Sequence, residues 1–149
     1  MANAQFSSTE PSGKRAEQGV GETDLAALLK TMTPELNQGD YVFCILPPGV
    51  KIEDSHIIGS FKEKEGTTVI ISRDTADLLD LSYSFIAAWI TLTVYSSLEA
   101  VGLTAAFSNA LADESISCNV VAAFYHDHIF VAKKDAQRAM EVLGELAKR

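Results

Sequence analysis

The chain is short of cations, cysteine and proline, and it has no long hydrophobic run. Twelve Lys and Arg stand against twenty Asp and Glu in 149 residues, a formal net charge of −8. A field of that sign repels phosphate backbones and anionic lipid, so neither nucleic acid nor a membrane surface is an expected partner. No uninterrupted apolar segment approaches the roughly 20 residues of a membrane-spanning helix, and no basic stretch leads into an apolar one near Met1. A cytoplasmic protein is expected.

The two cysteines, Cys44 and Cys118, lie in separate apolar runs with no CxxC or Cys/His spacing. Buried free thiols are expected, because a reactive thiol needs exposure and electropositive surroundings. Four prolines and nine glycines in a chain that is 47% hydrophobic and 21% charged exclude fibrous and wholly disordered classes. No Gly-rich phosphate loop is present, and His56, His126 and His128 have no companions in a triad-like arrangement. Catalysis requires such groups in mutual reach. The reading is therefore a protein that is not an enzyme, with no catalytic residues and no cofactor. His126-Asp127-His128 offers metal-binding side chains, but a hairpin would place His126 and Asp127 in its turn and His128 on the returning strand. A solvated turn is expected there, and no metal.

What is present has a clear order. Residues 1–23 are rich in Ser, Gly, Glu, Gln and Ala without hydrophobic period, and read as a flexible tail. Leu25, Leu28, Leu29 and Met32 mark one face of a short helix capped by Thr23 or Asp24 and ended by Thr33-Pro34. Tyr41 to Leu46 is a strand between breakers. Ile57 to Lys62 and Thr67 to Ser72 form a hairpin, and Asp74 opens a helix to about Leu81, buried through Ala76, Leu78, Leu79 and Leu81. From Phe85 onward come a strand over 86–94, a loop closing on Gly102, an Ala-rich helix over 103–112, a tight hairpin and an amphipathic terminal helix.

That second half spells βαββα, the body of a ferredoxin-like α/β (α+β) module with an antiparallel sheet. The first half repeats hairpin, basic residue, capping Asp and helix, which predicts an internal duplication. One face of the 86–94 strand is core; the other, with Trp89, Val121, Ala123 and Tyr125, carries apolar area that the other module or another copy should cover. The N–H groups at the start of the 103–112 helix lack internal partners. A carboxylate fits there, with Ser96, Ser97 or Thr104 hydroxyls assisting and Gly102 allowing close approach. Gly102 and Thr104 equally serve a plain turn and cap. Asn119 must find partners if buried, from neighbouring backbone or from a ligand.

The stretch Gly102-Leu103-Thr104-Ala105-Ala106-Phe107-Ser108-Asn109-Ala110-Leu111-Ala112, followed by Ile116-Ser117-Cys118-Asn119 and by Tyr125-His126-Asp127-His128-Ile129-Phe130-Val131, resembles the ACT domain. The resemblance covers Leu25 to the C-terminus, and its specificity sits between Tyr95 and Val131. It implies two βαββαβ ACT modules, a degenerate one over 24–84 and a fuller one over 85–149 whose last strand the first half or a partner must supply. It further implies a regulatory module that binds a small molecule of the amino-acid class at a module or subunit interface, on a homodimeric scaffold. The implied ligand-binding residues are Ser96, Ser97, Glu99, Val101, Gly102, Leu103, Thr104 and Asn119. Glu99-Ala100-Val101-Gly102 stands where many ACT domains have Asp-x-Pro-Gly, which leaves a ligand-free interaction module as the alternative.

Overall fold

The structure is a computed structural model and describes residues 21–149; the tail expected over 1–23 lies outside the described residues up to Val20. The elements are α1 (Leu25–Thr31), β1 (Thr33–Leu36), β2 (Tyr41–Leu46), β3 (Ile57–Lys62), β4 (Thr67–Ser72), α2 (Arg73–Leu78), β5 (Ile86–Thr93), α3 (Leu103–Asp113), β6 (Asn119–Ala122), β7 (Asp127–Ala132) and α4 (Ala136–Ala147). Single 3-10 turns precede β3 and α4. No helix among the described residues is long and apolar enough to cross a membrane.

All seven strands join one antiparallel sheet, in the order β3-β4-β2-β5-β7-β6, with β1 paired to β5 beside β2. Strand β5 therefore has two roles. Against β2 it is the fourth strand of the unit β2-β3-β4-α2-β5, and against β7 it is the first strand of the unit β5-α3-β6-β7-α4. The second unit lacks its own fourth strand, and β1 supplies it, Thr33 to Leu36 running opposite Thr93 to Ile90. Both units then share one strand order, and both are βαββαβ-like. In the first unit a Pro47-to-Val50 turn and a 3-10 turn stand where the first helix would be.

The division expected between residues 84 and 85 is accordingly not a division of the sheet or of the core. Leu28 and Met32, 0% and 2% exposed, pack with Ile90, Phe107, Leu111, Ile129 and Leu143 in the larger core cluster. Helix α1 and strand β1 thus pack and pair with elements of the C-terminal unit. A strand at Thr33-Pro34 was unexpected, because proline cannot donate to a ladder; it is tolerated since β1 has β5 as its single strand neighbour. The first unit has a smaller cluster of Val42, Cys44, Val69, Ile71, Ala76 and Leu81. Two residues expected in that core are outside it: Leu78 is 85% and Leu79 37% exposed, because α2 has only six residues and buries Ala76 alone. Asp40, between β1 and β2, ties the units together by accepting Lys133 Nζ at 2.8 Å, with Arg73 at 3.7 Å.

Alternation along β5 sends Ala88, Ile90 and Leu92 towards the helices and Ala87, Trp89 and Thr91 to the opposite face. That opposite face closes on itself. The sheet curls so that Ile58 and Gly59 of β3 and Val121 of β6 line one small cavity with Trp89, His128 and Phe130. Phe130 is 1% exposed, with Phe43 edge-on to it at 5.3 Å and Trp89 stacked at 6.2 Å. The chain itself half-buries Trp89, while Val121 stays 40% exposed; Tyr125, expected on this face, is at the tip of the β6–β7 hairpin and 60% exposed. Cys44 is buried and Cys118 half-buried, both free, and burial pushes the Cys118 thiol up to about 11.

His128 lies on the curled face, where Trp89 Nε1–H donates to its Nδ1 at 3.1 Å and Thr91 Oγ1 stands 3.2 Å away. Burial, reinforced by the neighbouring His126, holds the imidazole below its ordinary value. As pH falls through the ordinary histidine range near 6.5, the unfolded chain takes up a proton that the folded one refuses. Stability then falls with pH, at no more than about 1.4 kcal/mol per pH unit. Thermal melts from pH 7.5 to 5.5 should show this decline in the native protein and a shallower one in His128→Gln, which keeps an acceptor but does not titrate.

Candidate functional site

The loop between β5 and α3 is built by backbone bonds that leave one corner of the helix bare. Ser96 N–H returns to Val94 O, Ala100 N–H to Ser97 O, and Glu99 N–H to Ser97 Oγ, at 3.1, 2.9 and 3.2 Å. Residues 21–22 strap this loop from outside: Glu22 N–H donates to Tyr95 O and accepts Ser97 N–H on its own carbonyl, both at 3.1 Å. Gly21 lies so close that a Cβ there would fall 2.5 Å from Ser97 N. Its lack of a side chain is what lets the strap seat.

Gly102 caps α3 in the left-handed region, φ +100°, without any side-chain cap. The first intrahelical bond runs from Ala106 N–H to Gly102 O at 2.9 Å, so the N–H groups of Leu103, Thr104 and Ala105 are the orphan donors of the helix. They carry the positive end of its dipole. The side of Gly102 that a Cβ would occupy faces α1, with Leu25 Cδ2 at 3.1 Å. The glycine is required by the turn and by this contact; a substitution there would disturb packing whatever binds nearby.

Beside the orphan donors is a cavity of about 50 Å³ lined by Ser96, Ser97, Leu98, Ala100, Leu103, Thr104, Ala122 and Asp127. Four of the residues expected at the site, Ser96, Ser97, Leu103 and Thr104, meet there, and Gly102 turns the chain into it. Glu99 and Val101 are exposed on the loop and do not line it. Asn119 is at the far end of β6 from Ala122, its Nδ2–H donating to Phe130 O at 3.2 Å. The amide serves the sheet, and the structure does not bring it to this cavity.

Asp127 is the residue that sequence reasoning missed. It was expected in a solvated turn, but the turn is two residues earlier: Ala123 N–H bonds His126 O at 3.1 Å, leaving Phe124 and Tyr125 at the tip and Asp127 as the first residue of β7, opposite Ala122. The two-residue period then points Asp127 the same way as Ile129 and Val131, towards α3. It is 7% exposed, and it is the buried charged residue of the described chain. No donor among the described residues hydrogen-bonds its carboxylate, and burial raises its carboxyl above the usual range against a weaker opposing pull from His126. His126 Nδ1 is itself buried without a partner among the described residues. No three His, Cys, Asp or Glu side chains among the described residues converge as a metal site.

The arrangement pairs two opposite demands across one small space. Orphan N–H groups favour an anion, and a lone buried carboxylate favours a cation or a donor. A zwitterionic head group satisfies both.

Residues 20–88 match a family model described as ACT domain, and residues 84–145 match a second ACT-domain model. Among solved structures, a protein of unknown function from Vibrio cholerae, described as a possible transport protein, is 48% identical, with a TM-score of 0.74 over 83% of this chain and 95% of that one. A protein from Agrobacterium tumefaciens is similar in fold at 15% identity, with a TM-score of 0.59 over 78% of this chain and 89% of that one. The ligand-free regulatory subunit of aspartate kinase from Thermus thermophilus is similar at 8% identity, TM-score 0.56, over 78% and 97% of the two chains. No curated protein matches the chain.

Proposed function

The chain belongs to the ACT-domain family, and from that premise we propose that it is a regulatory module that binds an amino acid by its head group where α3 emerges. The observation that carries this is Asp127, a carboxylate 7% exposed, lining the cavity and without a hydrogen-bond donor. Burial disfavours the charged form of this carboxyl in the ligand-free protein, where it faces the cavity and no protein donor among the described residues. A ligand ammonium at Asp127, with its carboxylate on the N–H groups of Leu103 to Ala105, offsets that cost and completes the helix terminus. Ser96 and Thr104 line the same cavity. A cavity of about 50 Å³ takes a head group and not a whole side chain, so the rest of the ligand projects outward. There it meets the exposed rim of the site, the surface on which a second copy of a homodimer would contact it. Binding then favours whichever assembly completes the rim, which is how a small molecule acts through subunit contacts.

Thermal melts of the full chain against each of the common amino acids test the reading. A binder present at a hundred times its Kd should stabilise the folded state by about 2.7 kcal/mol, with no comparable shift in Asp127→Asn. If no amino acid shifts the transition, the module associates without a ligand of this class.

A further inference from the structure

The wall of the cavity is polar, and no Lys or Arg among the described residues lines it; the neighbouring group that pulls on Asp127 is His126. Leu98, which lines the cavity, is 67% exposed, and Phe124 and Tyr125 are 58% and 60% exposed at the tip of the turn that joins the lining residues Ala122 and Asp127. Two aromatic residues at a two-residue hairpin tip are not there for the turn. Tight hairpins favour Gly, Asn or Asp with positive φ, and neither Phe124 nor Tyr125 has positive φ. Their rings meet edge-on at 5.0 Å, a preformed apolar surface two residues along the chain from each of the lining residues Ala122 and Asp127. No Lys or Arg occurs between Arg73 and Lys133, and those two are engaged with Asp40, Arg73 also with Asp77. The charged side chain of the loop itself is Glu99, which is exposed.

We infer that the ligand is an amino acid with an uncharged, apolar side chain of leucine or phenylalanine type, lying on Leu98, Phe124 and Tyr125. The inference rests on the head-group reading above and adds the side-chain class. A side-chain carboxylate, as in aspartate, would find no Lys or Arg among the described residues lining the cavity and would meet Glu99 on the loop. A lysine-type ammonium would find Glu99 in water, an exposed pair that favours binding less than about five-fold. Covering an apolar side chain on the three rim residues favours it by roughly ten- to a hundred-fold.

Isothermal titration of the full chain with glycine, leucine, phenylalanine, aspartate and lysine separates the possibilities. Leucine or phenylalanine should bind at least ten-fold tighter than glycine, aspartate or lysine, and Asp127→Asn should remove all of it. In Phe124→Ser/Tyr125→Ser the preference over glycine should shrink towards unity while glycine binding persists; Leu98→Ser, in the loop, gives the same readout if the turn variant does not fold. Aspartate or lysine binding tightest, and still lost in Asp127→Asn, would overturn the side-chain assignment and leave the head-group reading standing. Failure of every amino acid to bind would overturn both.

Discussion

Asp127→Asn should make the ligand-free protein more stable at neutral pH while removing its response to amino acids. Asp127 is 7% exposed with no donor among the described residues on its carboxylate, and its raised pKa means that ionisation is resisted by the fold. An isosteric neutral amide removes that resistance. The gain is on the order of 1 kcal/mol, since the amide also lacks a partner there, seen as a rise of about 4 °C in Tm per kcal/mol for a chain of this size. The sign with pH is specific. A group whose folded pKa lies above its unfolded value weakens the fold as pH rises through that range, so acidification protonates the native Asp127 and relieves its cost. Melting curves of the two proteins should therefore differ most near pH 7.5 and converge towards pH 4. A variant less stable than the native protein at neutral pH would mean that Asp127 has a structural partner, and the head-group reading would lose its principal support. Stability given up for an unpaired charge is a mark of a binding site, since a purely structural corner would have been filled by an apolar residue or a paired one.

The same residue shows where the sequence was legible and where it was not. The strands at 41–46, 57–62 and 67–72 and helix α3 were visible because two-residue and 3.6-residue periods and their breakers are local signals. The orphan donors at Gly102 followed from the helix start alone. Asp127 was hidden by a shift of the turn: His126 and Asp127 look like turn residues by composition, yet Phe124 and Tyr125 occupy the tip two residues earlier, so Asp127 leaves the turn and becomes the first, inward-facing residue of β7. A continued apolar alternation from Val131 back through Ile129 to Asp127 was the available signal. Strand β1 was hidden for a different reason. Thr33-Pro34-Glu35-Leu36 has no strand propensity of its own and exists because β5 offers an open edge from Ile90 to Thr93. The curl that buries Phe130 and half-buries Trp89 is likewise a property of the whole sheet.

Residues 85–149 produced alone should not fold as a monomer, although they spell the fuller of the two modules. Without β1 the Ile90-to-Thr93 edge of β5 has no partner, and the core of α3 and α4 loses Leu28 and Met32 together with the partly buried Leu25 and Leu29. Each fully buried apolar side chain contributes about 1.5–3 kcal/mol, so the two most buried alone account for roughly 3–6 kcal/mol. Whole domains are stable by only about 5–15 kcal/mol. Joining residues 21–36 to the C-terminus of the fragment through a flexible linker restores the fourth strand, α1 and the strap over Ser96-Ser97, and should restore a dispersed amide spectrum by NMR. A monomeric fragment 85–149 with that spectrum would show that the C-terminal unit stands without β1. Association of the bare fragment through its open β5 edge is the other physical route to satisfying those backbone groups, so sedimentation must accompany the spectra. The same reasoning makes the strap part of the site: Gly21 and Glu22 hold the Tyr95-to-Ser97 backbone from which the cavity wall is made. A chain starting at Asn37 would therefore lose the sheet edge and the cavity wall together.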